Sequence, residues 1–439
     1  MILAISAIMI LALIFLGMSI PFCFLTGSLF YAFATGTSVG TFVSTSYYSL
    51  DAYSLLALPL FMAAGMLIEQ SGIAGRLIDL AEMLLKRIKG GMGATIPVVS
   101  CFFGALSGSG LATATTLATM LGPRLEKKGW NKNYIAAFIA ASSPLGYMIP
   151  PNMNAIVYTK VSSASVAALF LATVIPGVLW AFLYLVINRV IYTKYYDPSK
   201  AVNDTDESKR AEEARSGMQY NLRVIRSAIP AFLMPVIILG GIYGGIFTAT
   251  EAGGVGCLYG LLVGVFIYKG FKSKKDVLNV FQQTGYSIGT LLMIFPMTLI
   301  FTRLLVVNGV PDMVTKFILG ISDNKYIILL IIDIVLIIAG FFLDCNVLLL
   351  VFTPLLLPTA TAIGVSAIQL AVIIFVSIGI GSITPPMAMV LFVTAKICDV
   401  KIGDIIKPLV PFLLFGAVPI LLLVTYCPFV SEWLPSLLM

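Results

Sequence analysis

The chain contains no histidine among its 439 residues. That absence removes the commonest general base, proton shuttle and metal ligand together. It argues against metalloenzyme and His-dependent hydrolase chemistry. Charge is scarce as well. Only 11% of residues are Asp, Glu, Lys or Arg, against about 25% in soluble domains. The first charged residue is Asp51. The six cysteines (Cys23, Cys101, Cys257, Cys345, Cys398 and Cys427) show no CxxC or ligand spacing, so neither a disulfide framework nor a metal site is indicated. Residues 1–20 lack a basic n-region and a small-residue cleavage site, so a retained transmembrane helix is expected there rather than a signal peptide.

What the chain has instead is apolar length. Hydrophobic residues make up 59% of it, which defines an all-α polytopic membrane protein with the lipid bilayer as its solvent. The formal net charge of +7 would suggest nucleic acid in a soluble protein. Here it fits basic loops that hold the cytoplasmic side, and no nucleic-acid partner is expected.

Read in order, spans are expected at 2–20, at about 24–45 with Pro21 at the turn, and at about 53–70. Residues 72–91 carry apolar side chains at helical spacing opposite Arg76, Lys86, Arg87 and Lys89, the pattern of an interfacial amphipathic helix. Residues 90–123 are uncharged. As one helix they would be about 51 Å long, too long for a core of roughly 30 Å, yet they are too short for two spans. Split at Ser107-Gly108-Ser109-Gly110, they become a re-entrant helical hairpin, followed by Arg124, Lys127, Lys128 and Lys132 on the side of entry. Residues 133–165 form a broken span, interrupted by Pro144, Gly146 and Pro150-Pro151. A last span covers about 168–193, and 194–228 reads as a cytoplasmic linker.

The second half repeats the first. Spans are expected at about 229–247 and 252–268, then a basic turn at 269–275. A long apolar segment, 277–310, follows, interrupted at Pro296, and then an amphipathic piece at 311–322. A second hairpin covers 326–360 with its tip near Asp344, then a broken span at 366–397, then a final span at about 408–428. Pro59 and Pro296, and Gly72 and Gly309, lie 237 apart. Pro123 and Pro358, Gly129 and Gly364, and Pro150-Pro151 and Pro385-Pro386 lie 235 apart. A near-constant offset over five landmarks signals an internal repeat. Each half makes five crossings, an odd number, so residues 229–439 should be inserted upside down relative to 1–193, with both termini outside. Inverted repeats with paired broken elements point to a secondary transporter whose site lies at the repeat interface.

At each hairpin tip one helix ends, offering carbonyls to a cation, and another begins, offering N–H groups to an anion. The first constellation is Ser107, Gly108, Ser109 and Gly110, facing Ser142, Ser143, Pro144, Leu145 and Gly146. The second is Asp344, Cys345 and Asn346, facing Gly379, Gly381, Ser382 and Thr384. Hard oxygen ligands without clustered thiolates or imidazoles suit Na⁺. The candidate Na⁺ residues are Ser107, Gly108, Ser109, Ser143, Pro144, Gly146, Asp344, Cys345, Asn346, Gly379, Ser382 and Thr384. The candidate substrate contacts are Ser107, Ser109, Gly110, Pro150, Asn152, Pro385 and Arg303. Arg303 could equally snorkel to the outer interface. Asp344 is the most telling acid, because intramembrane charge is costly. Asp333 on the same hairpin is more ambiguous, and Glu251 reads as a helix cap.

These motifs resemble a known family. FFGALSGSG, SSPLGYMIPPN, TATEAGG, GFFLDCN, TPLLLPTATAIGV and IGSITPPMAMVLFV are similar to segments of the large membrane subunit of tripartite ATP-independent periplasmic (TRAP) transporters, within the ion transporter superfamily. The resemblance implies Na⁺-driven symport of an organic acid anion by an elevator motion, with at least two Na⁺ ions. It implies a bacterial inner-membrane location with periplasmic termini. It also implies two partners, a small four-helix membrane (Q) subunit and a periplasmic substrate-binding (P) protein. The substrates of the family include C4-dicarboxylates and sialic acid; sialic acid is the first expectation, because the candidate site is rich in small polar groups. Family members often carry glycine after the second Pro-Pro pair, where this chain has Met387. Other readings are a carboxylate transporter of the same superfamily that works without a binding protein, a channel, or an intramembrane enzyme. The last would need Asp333 and Asp344 as a pair, but they lie eleven residues apart on one hairpin with no GxGD-like or HExxH pattern.

Overall fold

The computed structural model describes residues 1–201, 218–386 and 388–439. The expected linker therefore falls largely outside the described residues, and so does Met387. Among the described residues there is no strand, only an isolated bridge between Trp130 and Tyr196. Eight helices among the described residues are long and apolar enough to cross a membrane. Large apolar side chains such as Phe33, Val190, Phe266 and Phe317 stand exposed. In water such surface would drive aggregation; against lipid tails it carries no penalty.

The first part of the chain forms α1 (Ile2–Phe15), α2 (Ile20–Thr35), α3 (Gly40–Leu50), α4 (Ala57–Gln70) and α5 (Ile73–Leu85). The span expected at 24–45 is two helices. Gly36 turns left-handed at φ 72° and ends α2 in the way glycine often ends helices. Pro21 starts α2 instead of separating two spans. α5 has the expected two faces, with Ile73, Leu77, Ile78 and Ala81 buried.

The helices α6 (Gly91–Ser107) and α7 (Gly110–Met120) pack on each other and are followed by the short α8 (Gly122–Lys127). Arg124 on α8 pairs with Asp79 on α5 at 2.6 Å, and Lys128 reaches Glu82 at 3.5 Å. Both contacts are partly exposed, so each contributes about 1 kcal/mol at most. The next stretch is α9 (Lys132–Ser142), α10 (Leu145–Met148) and α11 (Met153–Tyr158), and then the continuous α12 (Val166–Ile191).

The later part contains α13 (Met218–Tyr243), α14 (Ala249–Leu262) and α15 (Lys274–Val307). α14 packs closely on α4 because glycines line its contact face; a Cβ at Gly253 would come within 2.9 Å of Leu60 Cβ. Glu251 closes a capping box with Thr248 at the start of α14: its carboxylate accepts from Thr248 N, and the Thr248 hydroxyl accepts from Glu251 N, so two otherwise unpaired amides are satisfied. The interruption expected at Pro296 does not occur. α15 runs through it for 34 residues, about 51 Å at 1.5 Å per residue. Proline costs the helix one hydrogen bond but its fixed φ fits. The break comes in the first half instead, where Asp51 and the 3₁₀ turn Tyr53–Leu56 separate α3 from α4.

The chain ends with α16 (Val310–Ile321), α17 (Lys325–Phe342), α18 (Cys345–Ala362), α19 (Ala367–Ile383), α20 (Met389–Ile397), α21 (Ile402–Phe412), α22 (Val418–Tyr426) and α23 (Phe429–Leu438). α6 begins at 91 and α17 at 325, α7 at 110 and α18 at 345, and α9 at 132 and α19 at 367. Helix boundaries in the two parts thus keep the sequence offset.

Candidate functional site

α6 stops at Ser107 because Gly108 turns left-handed, with φ 61°. Ser109 then extends, and its hydroxyl accepts from the amide of Ala112 at 3.4 Å, capping α7. Such a cap satisfies one of the orphan amides of the new helix. The tip rests on the Pro150-Pro151 turn. A Cβ at Gly108 would lie 3.1 Å from Pro151 O and 3.3 Å from Met153 N. Gly108→Ala would combine left-handed strain with this crowding, so we expect it to lower unfolding stability by about 1–3 kcal/mol. Thermal unfolding of the purified variant checks this; an unchanged midpoint would show that the tip can move off the Pro-Pro turn.

The second tip is built without glycine. α17 ends at Phe342, Leu343 is extended, and Asp344 caps α18. Its Oδ1 accepts from the backbone N of Asn346 at 2.9 Å and from Asn346 Nδ2 at 3.1 Å. Negative charge there also opposes the positive end of α18. Ser109 and Asp344, 235 residues apart, thus do the same structural work with different charge.

Both hairpins meet their broken partners through paired glycines. A Cβ on Gly104 of α6 would come within 2.6 Å of Gly146 Cα on α10. A Cβ on Gly381 of α19 would come within 2.6 Å of the carbonyl carbon of Gly340 on α17. Backbones approach this closely only where side chains are absent. Sequence reasoning named Gly146 and Gly381 but passed over Gly104 and Gly340. The available signal was their offset of 236.

The two halves also touch each other here. A Cβ on Gly379 would lie 2.9 Å from Pro144 Cβ, and these positions are 235 apart; each is the other's counterpart. α7 packs on α20, and α11 packs on α18. Cys345 Sγ donates to Asn154 Oδ1 at 3.0 Å, and Tyr158 donates to Ala367 O at 2.7 Å. A cavity of about 100 Å³ opens beside the second tip. Leu111 and Tyr147 of the first half line it together with Asp344, Cys345, Gly381 and Ser382. It is well below the roughly 300 Å³ of an organic-ligand pocket and is of a size for ions and water.

The other sequence candidates have these places. Ser107 Oγ accepts from Ser109 N at 3.3 Å. Ser143 Oγ donates to Ile139 O at 2.6 Å, and Ser143 O lies against Gly110. Ser142 Oγ is buried and has no hydrogen-bond partner among the described residues. Asn152 is buried; its Oδ1 caps α11 through Ala155 N and its Nδ2 reaches Thr173. Ser382 and Thr384 turn their hydroxyls to carbonyls of their own helix, Gly379 O and Ile380 O. Pro150-Pro151 and Pro385-Pro386 form the turns of the two broken elements. Arg303 is not brought to the tips. It is exposed on α15 and donates to Thr45 on α3 at 2.9 Å.

A membrane-spanning helical bundle in which two interrupted hairpins and two interrupted spans converge is a transporter. The chain belongs to the family described as "Tripartite ATP-independent periplasmic transporter, DctM component", whose sequence profile matches residues 7–430. It is a large permease subunit, not an enzyme. It is 30% identical over 412 residues to the C4-dicarboxylate TRAP transporter large permease protein DctM of Pseudomonas aeruginosa, a match covering 94% of this chain and 93% of that one. It is 29% identical over 428 residues to the sialic acid TRAP transporter large permease protein SiaM of Vibrio cholerae, covering 97% of each. The isethionate TRAP transporter permease protein DctMQ of Oleidesulfovibrio alaskensis is 30% identical over 383 residues, 87% of this chain and 58% of that protein. Among solved structures, the Alcanivorax borkumensis YdaH transporter superposes with a TM-score of 0.57, covering 90% of this chain and 87% of that one. At 16% identity this shows likeness of fold alone.

Proposed function

We propose that the chain is the permease of a Na⁺-coupled importer of an organic acid anion in a bacterial inner membrane. The observation that carries this reading is the convergence of oxygen donors at two paired helix ends, one of them holding an acid. Ser107, Ser109, Ser143 and the carbonyls about Gly108, Pro144 and Gly146 would hold one Na⁺. Asp344, Asn346, Ser382, Thr384 and the carbonyls about Cys345 and Gly379 would hold another. The cation would favour the carbonyl end of each hairpin, and the substrate carboxylate the N–H end. Gly110 and the Pro150 and Pro385 turns would contact the bound anion, while Asn152 caps α11.

Relatives that handle C4-dicarboxylates, sialic acid and isethionate support an acid of this class, with sialic acid tested first. The tripartite family description supports two partners, a small membrane subunit and a periplasmic substrate-binding protein. The near-constant offset between the halves supports an internal repeat; the odd crossing number expected from the sequence would invert its second copy, with periplasmic termini and an elevator motion of the hairpins.

The test is uptake of a panel of labelled organic acids into liposomes. The permease would be reconstituted with its small subunit and supplied with the binding protein from outside. We expect uptake of one acid class that needs an inward Na⁺ gradient and all components. Uptake that is equal in choline would overturn the coupling, and uptake without the binding protein would overturn the tripartite reading.

A further inference from the structure

Asp333 stands on α17, well away from the tip, and is only 2% exposed. Its Oδ1 accepts from Thr425 Oγ1 at 3.1 Å. Its Oδ2 has no hydrogen-bond partner among the described residues. Among the described residues no Lys or Arg pairs with it.

The neighbouring element sharpens the imbalance. Thr425 lies in the last turn of α22, where a helix presents partial negative charge. The carbonyls of Val424 and Thr425 accept from Gln369 Nε2 at 3.1 and 2.9 Å. Other titratable groups on the elements packed about α17 are engaged elsewhere. Lys325 donates to Gly364 O, and Tyr426 donates to the carbonyl of Tyr326. Glu432 on α23 accepts from Ser366. Asp312 and Lys316 on α16 are exposed. α19 has no titratable side chain, and α18 has only Cys345, at its far end. A dry carboxylate with one donor, beside a negative helix end, is short of one positive charge.

We propose that Asp333 and Thr425 hold a small monovalent cation, Na⁺ or a proton, between α17 and the end of α22, at a site separate from the hairpin tips. Hard oxygens are its ligands. Its occupancy fastens the incoming arm of the second hairpin to α22. This inference goes beyond the proposed function and does not depend on it.

The test is thermal unfolding of the purified full chain across Na⁺ (replaced by choline) and across pH. It compares the wild type with Asp333→Asn, each with and without Asp344→Asn to remove the contribution of the tip. Asparagine keeps the acceptor for Thr425 and removes the charge. If the ion is Na⁺, the Na⁺ response that survives Asp344→Asn, to which the first tip also contributes, becomes smaller on adding Asp333→Asn. If it is a proton, Asp333→Asn removes a pH response and leaves the Na⁺ response unchanged. Na⁺ and pH responses identical to wild type in Asp333→Asn would overturn the site. Should that variant fail to fold, Thr425→Val keeps the carboxylate and deletes its one donor. It should move the midpoint of the response about tenfold in Na⁺ concentration, or about one pH unit, and an unmoved midpoint would overturn the proposal. Uptake indifferent to Na⁺ would end the coupling reading while leaving this stability test intact.

Discussion

Asp344→Ala is expected to abolish Na⁺-dependent uptake while leaving a folded protein. The carboxylate does two jobs that can be separated. As a cap it accepts two hydrogen bonds from Asn346, and losing an N-cap costs about 1 kcal/mol. That lowers the unfolding midpoint by a few degrees and cannot by itself silence a transporter. As an acid at the second tip, beside a cavity of about 100 Å³, it would be the strongest ligand there for the proposed cation. Asp344→Asn isolates the second job, because the amide oxygen still caps α18. Asp344→Asn should lose about tenfold in apparent Na⁺ affinity, equivalent to about 1.4 kcal/mol, whereas Asp344→Ala, which also loses the cap, should show no Na⁺-dependent uptake. Uptake assayed against Na⁺ concentration, with thermal unfolding in parallel, separates the two effects. Full activity in Asp344→Ala would remove the acid from the site.

Gly381→Ala is the second substitution with a large expected effect. Its Cβ would come within 2.6 Å of the carbonyl carbon and oxygen of Gly340 and 2.7 Å of its Cα. These are backbone atoms and cannot swing aside as a flexible side chain would. α17 and α19 must separate, at a cost of about 1–3 kcal/mol for overpacking, and the tip at Asp344 shifts with α17. Gly340→Ala should be milder, because its nearest contact is 3.3 Å, to Gly381 Cα. We expect Gly381→Ala to lower both the unfolding midpoint and uptake well below Gly340→Ala. Equal behaviour of the two variants would show that this close approach does not position the tip.

The sequence made some of this legible and hid the rest for physical reasons. Glycine and proline in charge-free runs mark helix ends, because freed backbone groups in lipid need special surroundings. Gly108, Pro150-Pro151 and Pro385-Pro386 accordingly lie at helix ends. Proline is a weaker signal where the helix continues around it, as at Pro296. Gly36 was passed over because a single glycine in an apolar run does not by itself show a left-handed turn. The charge on Asp344 and its offset from Ser109 were visible, but the capping by both was not, since caps depend on backbone angles. Contacts between the halves, such as Cys345 with Asn154 and Gly379 with Pro144, depend on how distant helices dock and leave no local pattern. Arg303 reads in the sequence as a substrate contact or a snorkelling side chain. Its partner, Thr45, lies on another helix.

In the proposed transport cycle two paired tips couple cation and acid movement. The most direct measurement is the stoichiometry of coupling in liposomes: the substrate gradient at which net flux stops is measured for a series of imposed Na⁺ gradients. Two tips predict at least two Na⁺ ions moving with each substrate molecule, and a lower coupling number in Asp344→Asn if any flux remains. A flux that stops at the same substrate gradient whatever the Na⁺ gradient would contradict the account.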